Sequence, residues 1–195
     1  MMNCILAGVG GQGTVLASKL IAQCAMNRGQ HARTAETIGM AQRGGCVVSH
    51  VRIGEQSHSP MVPLHTADMI IGFEPSEAVR CLPYLKEDGV LVVSDKAIQP
   101  VTASLSGTSY QGEDMLRYLR GLGKRLVVLD ADEVCRQCGS SKVLNVALLG
   151  AAVASGALGF SLEDVEKALP QRIKERFIAM NTKALYAGAQ AAKGV

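Results

Sequence analysis

A chain of 195 residues that is 48% hydrophobic and 19% charged has enough apolar material for one sizeable core and too little charge to stay disordered. Its 20 Lys plus Arg against 17 Asp plus Glu leave a formal charge of +3, too weak a bias to argue for nucleic acid. With 4% aromatic residues and no Trp, it also lacks the stacking surfaces of a single-strand binder.

Cys4, Cys24, Cys46, Cys81, Cys135 and Cys138 are scattered, mostly in apolar runs, through a chain large enough to do without staples. They read as reduced thiols of a cytoplasmic protein. Cys135-Arg-Gln-Cys138 has redox or metal spacing, but no second CxxC or nearby His completes a tetrahedral site, so no metal is expected. The opening MMNCILAGVGGQG lacks a basic n-region and reads as a first strand rather than a signal peptide. The most apolar stretch, residues 143–160, is interrupted by Asn145, Ser155 and glycines and reads as a buried helix, not a membrane span.

In chain order, Cys4 to Val9 predicts a strand, the glycines at 8, 10, 11 and 13 a tight turn, and residues 14–28 a helix capped by Thr14 and stopped at Gly29. His31 to Thr37 reads as a weak second strand, and Cys46 to Ile53, rich in valine, as a third. A buried strand between Asp68 and Glu74 precedes a helix over 75–85, opened by Pro75, and another strand over 90–94. Residues 95–109 read as an irregular crossover, 112–122 as a helix, 125–130 as the last central strand and 140–158 as a long apolar helix. Ser161 to Asp164 forms a capping box, and Pro170 separates that helix from a last one over 171–190. Asp130-Ala-Asp132-Glu133 reads as a cap for the turn after its strand. The alternation predicts one α/β domain over 1–195: three layers, a mostly parallel central sheet with helices on both faces, Rossmann-like, and a helical C-terminal segment over 140–191.

Two loops concentrate unusual residues. Gly8-Val-Gly10-Gly11-Gln12-Gly13 satisfies GxGxxG between a strand and a helix, where free N–H groups and the helix dipole favour an anion. Glu36, near the end of strand two, stands where a ribose would be read. The alternative is that these glycines serve helix packing and leave Gln12 at an interface with a neighbouring chain. Beyond strand two, Gln42, Arg43, Gly44 and Gly45 offer a crevice with a guanidinium fork for carboxylate or phosphate, or else a turn in which Arg43 pairs with Glu36.

In strand three His50 and Arg52 share a face, either toward an anionic partner or as a structural histidine beside a snorkelling arginine. His58 and His65 read as surface or turn residues. Glu74 and Glu77 are acid–base candidates by position, though the start of a helix explains Glu77 equally well. The basic stretches 117–125 and 172–176 read as solvated helix faces, and the small residues over 147–158 as a close-packing or interface face. No catalytic residue is assigned.

GVGGQG at 8–13, IGMAQRGGCVVSHVRIG at 38–54, Ser59-Pro60, ADMIIGFEPSEA at 67–78 and SKVLNVALLG at 141–150 occur in one order, followed by Glu175-Arg176-Phe177 and Met180-Asn181. On these blocks the chain resembles the gamma-type domain family of 2-oxoacid:ferredoxin oxidoreductases, nearest its indolepyruvate branch. The resemblance implies a complex that decarboxylates a 2-oxo acid, here an arylpyruvate, with thiamine diphosphate. Electrons pass through iron–sulfur clusters to ferredoxin, with CoA as cosubstrate. It implies a larger alpha subunit holding thiamine diphosphate, magnesium and the clusters. The present chain would then be a subunit inactive alone, holding no cofactor itself, able to self-associate when isolated and contacting neither nucleic acid nor membrane. Gly10 to Gly13, Gln42 to Gly45, His50 and Glu74 would contribute to an intersubunit or CoA-facing cleft. The chain lacks a GDG segment for the thiamine pyrophosphate, and CRQC alone cannot bind a four-cysteine cluster. The competing readings are an independent NAD- or FAD-binding oxidoreductase and a noncatalytic interaction domain.

Overall fold

The computed structural model describes residues 1–38, 45–55, 58–99 and 110–192. In chain order these form β1 (Met2–Val9), α1 (Thr14–Asn27), β2 (Ala32–Ile38), β3 (Cys46–Ile53), β4 (Ala67–Gly72), α2 (Pro75–Arg80), β5 (Leu85–Ser94), α3 (Gly112–Arg120), β6 (Arg125–Leu129), α4 (Ala131–Cys138), α5 (Leu144–Ala154), α6 (Leu162–Arg172) and α7 (Ile178–Ala192). Single 3-10 turns occupy Leu82–Tyr84, Ser141–Val143 and Glu175–Phe177. The strands lie in one sheet, ordered β2-β3-β1-β4-β5-β6.

Successive residues of β1 serve opposite faces, as the pleat requires. Cys4 and Leu6 join Leu20 and Ile21 of α1 and Val146 and Leu149 of α5. Ile5 and Ala7 join Ala78 of α2 and Leu116 and Leu119 of α3 on the other side. Burial on both faces explains why the central strands read as continuous apolar runs, each fully buried Leu or Ile contributing about 1.5–3 kcal/mol. The expected three-layer α/β architecture is present.

Parallel pairing links β1 to β4, β4 to β5 and β5 to β6, whereas β3 runs antiparallel to both β1 and β2. An antiparallel pair needs no crossover helix, so the short 39–45 connection suffices between β2 and β3. This hairpin departs from a redox Rossmann unit: β3 stands between β1 and β2, so Glu36 is one strand further from the glycine turn than a ribose-reading carboxylate requires.

Small residues over 147–158 are used within the chain. A Cβ on Gly150 would lie 2.0 Å from the Leu185 carbonyl oxygen, and one on Gly188 would lie 1.9 Å from that of Ala147. The two helices α5 and α7 therefore touch backbone to backbone.

Several boundaries differ from expectation. Gly13, not Thr14, occupies the N-cap of α1, with φ 83° and no side-chain cap bond, while Gly29 does stop the helix with φ 72°. β6 is an edge strand rather than a central one. The helix expected over 75–85 ends at Arg80, and β5 starts early, at Leu85. Asp130 to Glu133, read as a cap for the turn after its strand, instead opens helix α4, which Asp130 caps by accepting from the Glu133 N–H at 2.8 Å. Ahead of α5 a 3-10 turn replaces the first part of the expected long helix.

The Ser161–Asp164 capping box forms as expected. Pro170, however, lies inside α6, which stops within a turn of it at Arg172 because the ring denies the Glu166 carbonyl its usual helical donor.

Candidate functional site

The site lies where the parallel strands end. Gly10 N–H donates to the Gly45 carbonyl at 2.8 Å, closing the β1–β3 ladder. Gly11 then turns with φ 101° and Gly13 with φ 83°, a region L side chains rarely adopt. Between them Gln12 faces inward: its Oε1 accepts from Val9 N–H at 2.7 Å and its Nε2 donates to the Phe73 carbonyl at 2.8 Å. Gln12 thus clamps the ends of β1 and β4 together. Gly13 meets Asn145 at the start of α5, whose Nδ2 would lie 2.5 Å from an added Cβ.

Above this turn opens a cleft of about 340 Å³. Gly11, Gln12 and Gly13 form one side, and Lys96 and Ile98, just past β5, form another. Ala131, Asp132 and Cys135 of α4, with Ser141, Lys142, Leu144 and Asn145, line the rest. Neither α1 nor α5 has a side-chain cap, so two helix N-termini bring their positive dipole ends to the same end of the sheet. Lys96 pairs with Asp132 at 2.6 Å. Burial raises the neighbouring Asp95 carboxyl above its ordinary value, while its Oδ1 accepts from Ala131 N–H at 2.9 Å. The cleft combines apolar walls with lysines and helix ends, a chemistry suited to a ligand with anionic groups.

The structure does not bring all the expected residues here. Gln42, Arg43 and Gly44 lie outside the described residues, as does any pairing of Arg43 with Glu36. Glu36 Oε1 is near Ser18 Oγ at 3.4 Å. His50 is buried on the α2–α3 face, accepts from Val62 N–H at 3.2 Å through Nδ1, and packs edge-on against Tyr84. Burial lowers its pKa. Its neighbour Arg52 is buried rather than snorkelling, donating to Asn3 Oδ1 at 3.0 Å and to the Ser59 and Met61 carbonyls.

Glu74 caps α2 from a buried position beside the Gln12 clamp and lines no part of the cleft. Glu77 is buried in the first turn of α2 and faces Arg80 at 3.6 Å. Sequence reasoning missed Lys96, Lys142 and Asn145. Lys96 was findable by its place just past a parallel strand, and the other two lie inside the SKVLNVALLG block.

Among the described residues, no group of three or more His, Cys, Asp or Glu is placed to hold a metal. Burial pushes the Cys46 thiol up to about 11 and those of Cys24 and Cys81 up to about 12, so these thiols are poor nucleophiles. No group of cysteines among the described residues is placed to hold an iron–sulfur cluster.

The family model for pyruvate ferredoxin/flavodoxin oxidoreductase matches residues 3–191. The chain is 35% identical over 188 residues to the indolepyruvate oxidoreductase subunit IorB of Archaeoglobus fulgidus, covering 96% of this chain and 93% of that protein. Its fold is similar to the gamma subunit of a keto/oxoacid ferredoxin oxidoreductase from Geobacter sulfurreducens, with a TM-score of 0.73, 24% identity and 100% of both chains covered. It also matches 31% of a chain of the 2-oxoglutarate:ferredoxin oxidoreductase from Magnetococcus marinus, with a TM-score of 0.70, 18% identity and all of this chain covered. No helix among the described residues is long and apolar enough to cross a membrane. A match along nearly the whole chain, on a sheet whose glycine turn and strand ends build one cleft, settles the assignment: the chain belongs to the pyruvate ferredoxin/flavodoxin oxidoreductase family.

Proposed function

We propose that this chain is the single-domain accessory subunit of an indolepyruvate-type 2-oxoacid:ferredoxin oxidoreductase in the cytoplasm. The larger partner subunit holds thiamine diphosphate, magnesium and iron–sulfur clusters, and CoA is the cosubstrate. The observation that carries this reading is the 35% identical relative of nearly equal extent, which is itself named as a subunit of an indolepyruvate oxidoreductase. The scatter of the six cysteines, with no group of three or more gathered at one place among the described residues, supports the division of labour.

Thiamine diphosphate, when bound in the partner, supplies the means of decarboxylating the 2-oxo acid. This chain contributes shape and charge. Lys142 and the N-terminal ends of α1 and α5 attract the anionic groups of CoA to the cleft. Gln12 keeps β1 and β4 together beneath it, and Lys96 pairs with Asp132 along the segment past β5. The independent dinucleotide enzyme is disfavoured by β3, which separates Glu36 from the glycine turn.

Co-expression with the large subunit tests the reading. A stable complex that reduces ferredoxin with indolepyruvate and CoA is expected. NAD or FAD binding by the isolated chain, with no complex formed, would overturn it.

A further inference from the structure

Glu74 is 1% exposed, yet its two carboxylate oxygens face donors from three separate stretches of chain. Oε2 accepts from Ser76 N–H at 2.8 Å, Ser76 Oγ–H at 2.5 Å and Glu77 N–H at 3.1 Å, which is the cap of α2. Oε1 accepts from Ile98 N–H at 3.4 Å and from the Tyr110 hydroxyl. The second set has nothing to do with capping. It ties the segment after β5, whose Lys96 and Ile98 form one wall of the cleft, to the end of β4. The same segment is held elsewhere by Lys96 N–H to Ser94 Oγ at 3.0 Å and by Asp95 N–H to the Leu129 carbonyl at 3.0 Å. Gly112, opening α3, approaches it so closely that a Cβ there would lie 2.5 Å from that of Ala97. Next to Glu74 in sequence, Phe73 carries the carbonyl that receives Gln12. One dipeptide, Phe73-Glu74, therefore anchors both the glycine turn and the Lys96–Ile98 segment that line the cleft.

We propose that Glu74 is a positioning residue: its Oε1 sets the Lys96–Ile98 wall at the separation from the glycine turn that the cleft's ligand requires. The inference rests on the reading of the cleft as the CoA-facing site. A carboxylate suits the position because both of its oxygens meet backbone N–H groups, which can only donate: those of Ser76 and Glu77 at Oε2 and that of Ile98 at Oε1. A glutamine in its place would keep its oxygen for the α2 cap and turn its amide N–H2 toward the Ile98 N–H, which it repels, while the Tyr110 hydroxyl could rotate to accept. Aspartate would still cap α2, as aspartates do well, but is one methylene too short to hold Ile98 and Tyr110 as well.

The experiment compares Glu74→Gln, Glu74→Asp, Tyr110→Phe and Lys142→Ala in the assembled complex, reading amide hydrogen exchange and steady-state ferredoxin reduction. Glu74→Gln and Glu74→Asp are expected to speed exchange at residues 96–98 while leaving residues 77–80 protected. They should raise the KM for CoA about tenfold, with the KM for the 2-oxo acid and kcat little changed. Tyr110→Phe, which removes one donor and no charge, should do the same to a smaller extent, and it decides the matter if the Glu74 variants fail to assemble. Unchanged exchange at 96–98 overturns the proposal. So does faster exchange with an unchanged CoA KM when Lys142→Ala raises that KM, an outcome that leaves the cleft reading standing. If Lys142→Ala also leaves the CoA KM unchanged, the cleft reading falls and the proposal with it.

Discussion

Gly13→Ala tests the glycine turn where conformation and packing act together. Alanine at φ 83° and ψ 24° costs about 1–2 kcal/mol relative to glycine, because its Cβ crowds the following carbonyl. Its Cβ would also lie 2.5 Å from Asn145 Nδ2, a contact that Asn145, only 5% exposed, can relieve only by moving. Asn145 Nδ2 donates to the Gly13 carbonyl at 3.5 Å, so displacement forfeits that bond and some packing, adding about 1–2 kcal/mol. The sum is about 2–4 kcal/mol.

Gly11→Ala is the control, because φ there is 101° but nothing lies within 4 Å of an added Cβ. It should cost only the conformational part, about 1–2 kcal/mol. Urea unfolding of both variants, and of Gly13→Ala combined with Asn145→Ala, separates the two contributions. The double variant should recover about 1 kcal/mol relative to additivity. If Gly13→Ala costs no more than Gly11→Ala, or if removing the Asn145 side chain recovers nothing, the packing argument is wrong.

Gly188→Ala would drive a Cβ to 1.9 Å from the Ala147 carbonyl oxygen, so α5 and α7 must separate; a loss of about 3 kcal/mol or more is expected by urea unfolding, and a loss near zero would contradict the close approach. Burial holds the His50 imidazole below its ordinary value of 6.5, so the unfolded chain takes up the proton first. The stability from neutral His50 is whole above that value and is lost as pH falls toward the lower folded value. His50→Gln, whose Oε1 can still accept from Val62 N–H, should flatten the decline in urea midpoint between about pH 7 and pH 5, and parallel declines would refute the assignment. Cys46 and Cys135 are half-buried and the other four cysteines buried, so iodoacetamide under native conditions should label those two first and slowly; rapid labelling of Cys4 or Cys24, read by mass spectrometry, would contradict the packing.

The sheet was legible wherever strands are buried on both faces, because Met69 to Ile71 and Leu91 to Val93 leave no room for another period. β3 was placed correctly by its valines, but its direction was not, since strand composition is blind to orientation and only the short connection after β2 hinted at a hairpin. Helix α4 escaped because Ala131, Val134 and Cys138 are its only buried residues, too sparse a stripe among Asp, Glu, Arg and Gln. Pro170 misled because a proline in the last turn shortens a helix rather than dividing it.

At the site, GxGxxG signalled a backbone turn correctly, yet the role of Gln12 as a clamp depends on β4 lying beside β1, a long-range fact no local spacing carries. Glu74 could be read as a helix start from the Pro75 that follows. Its reach to Ile98 and Tyr110 could not, because that depends on where the chain returns after β5.

The most direct test of the central claim compares ferredoxin reduction by this chain alone, by the large subunit alone and by the two combined, with indolepyruvate and CoA supplied. The account predicts turnover only, or overwhelmingly, in the combination, with the redox cofactors co-purifying with the large subunit. Full arylpyruvate oxidation by this chain in isolation, or a large subunit whose turnover is indifferent to its presence, would contradict it.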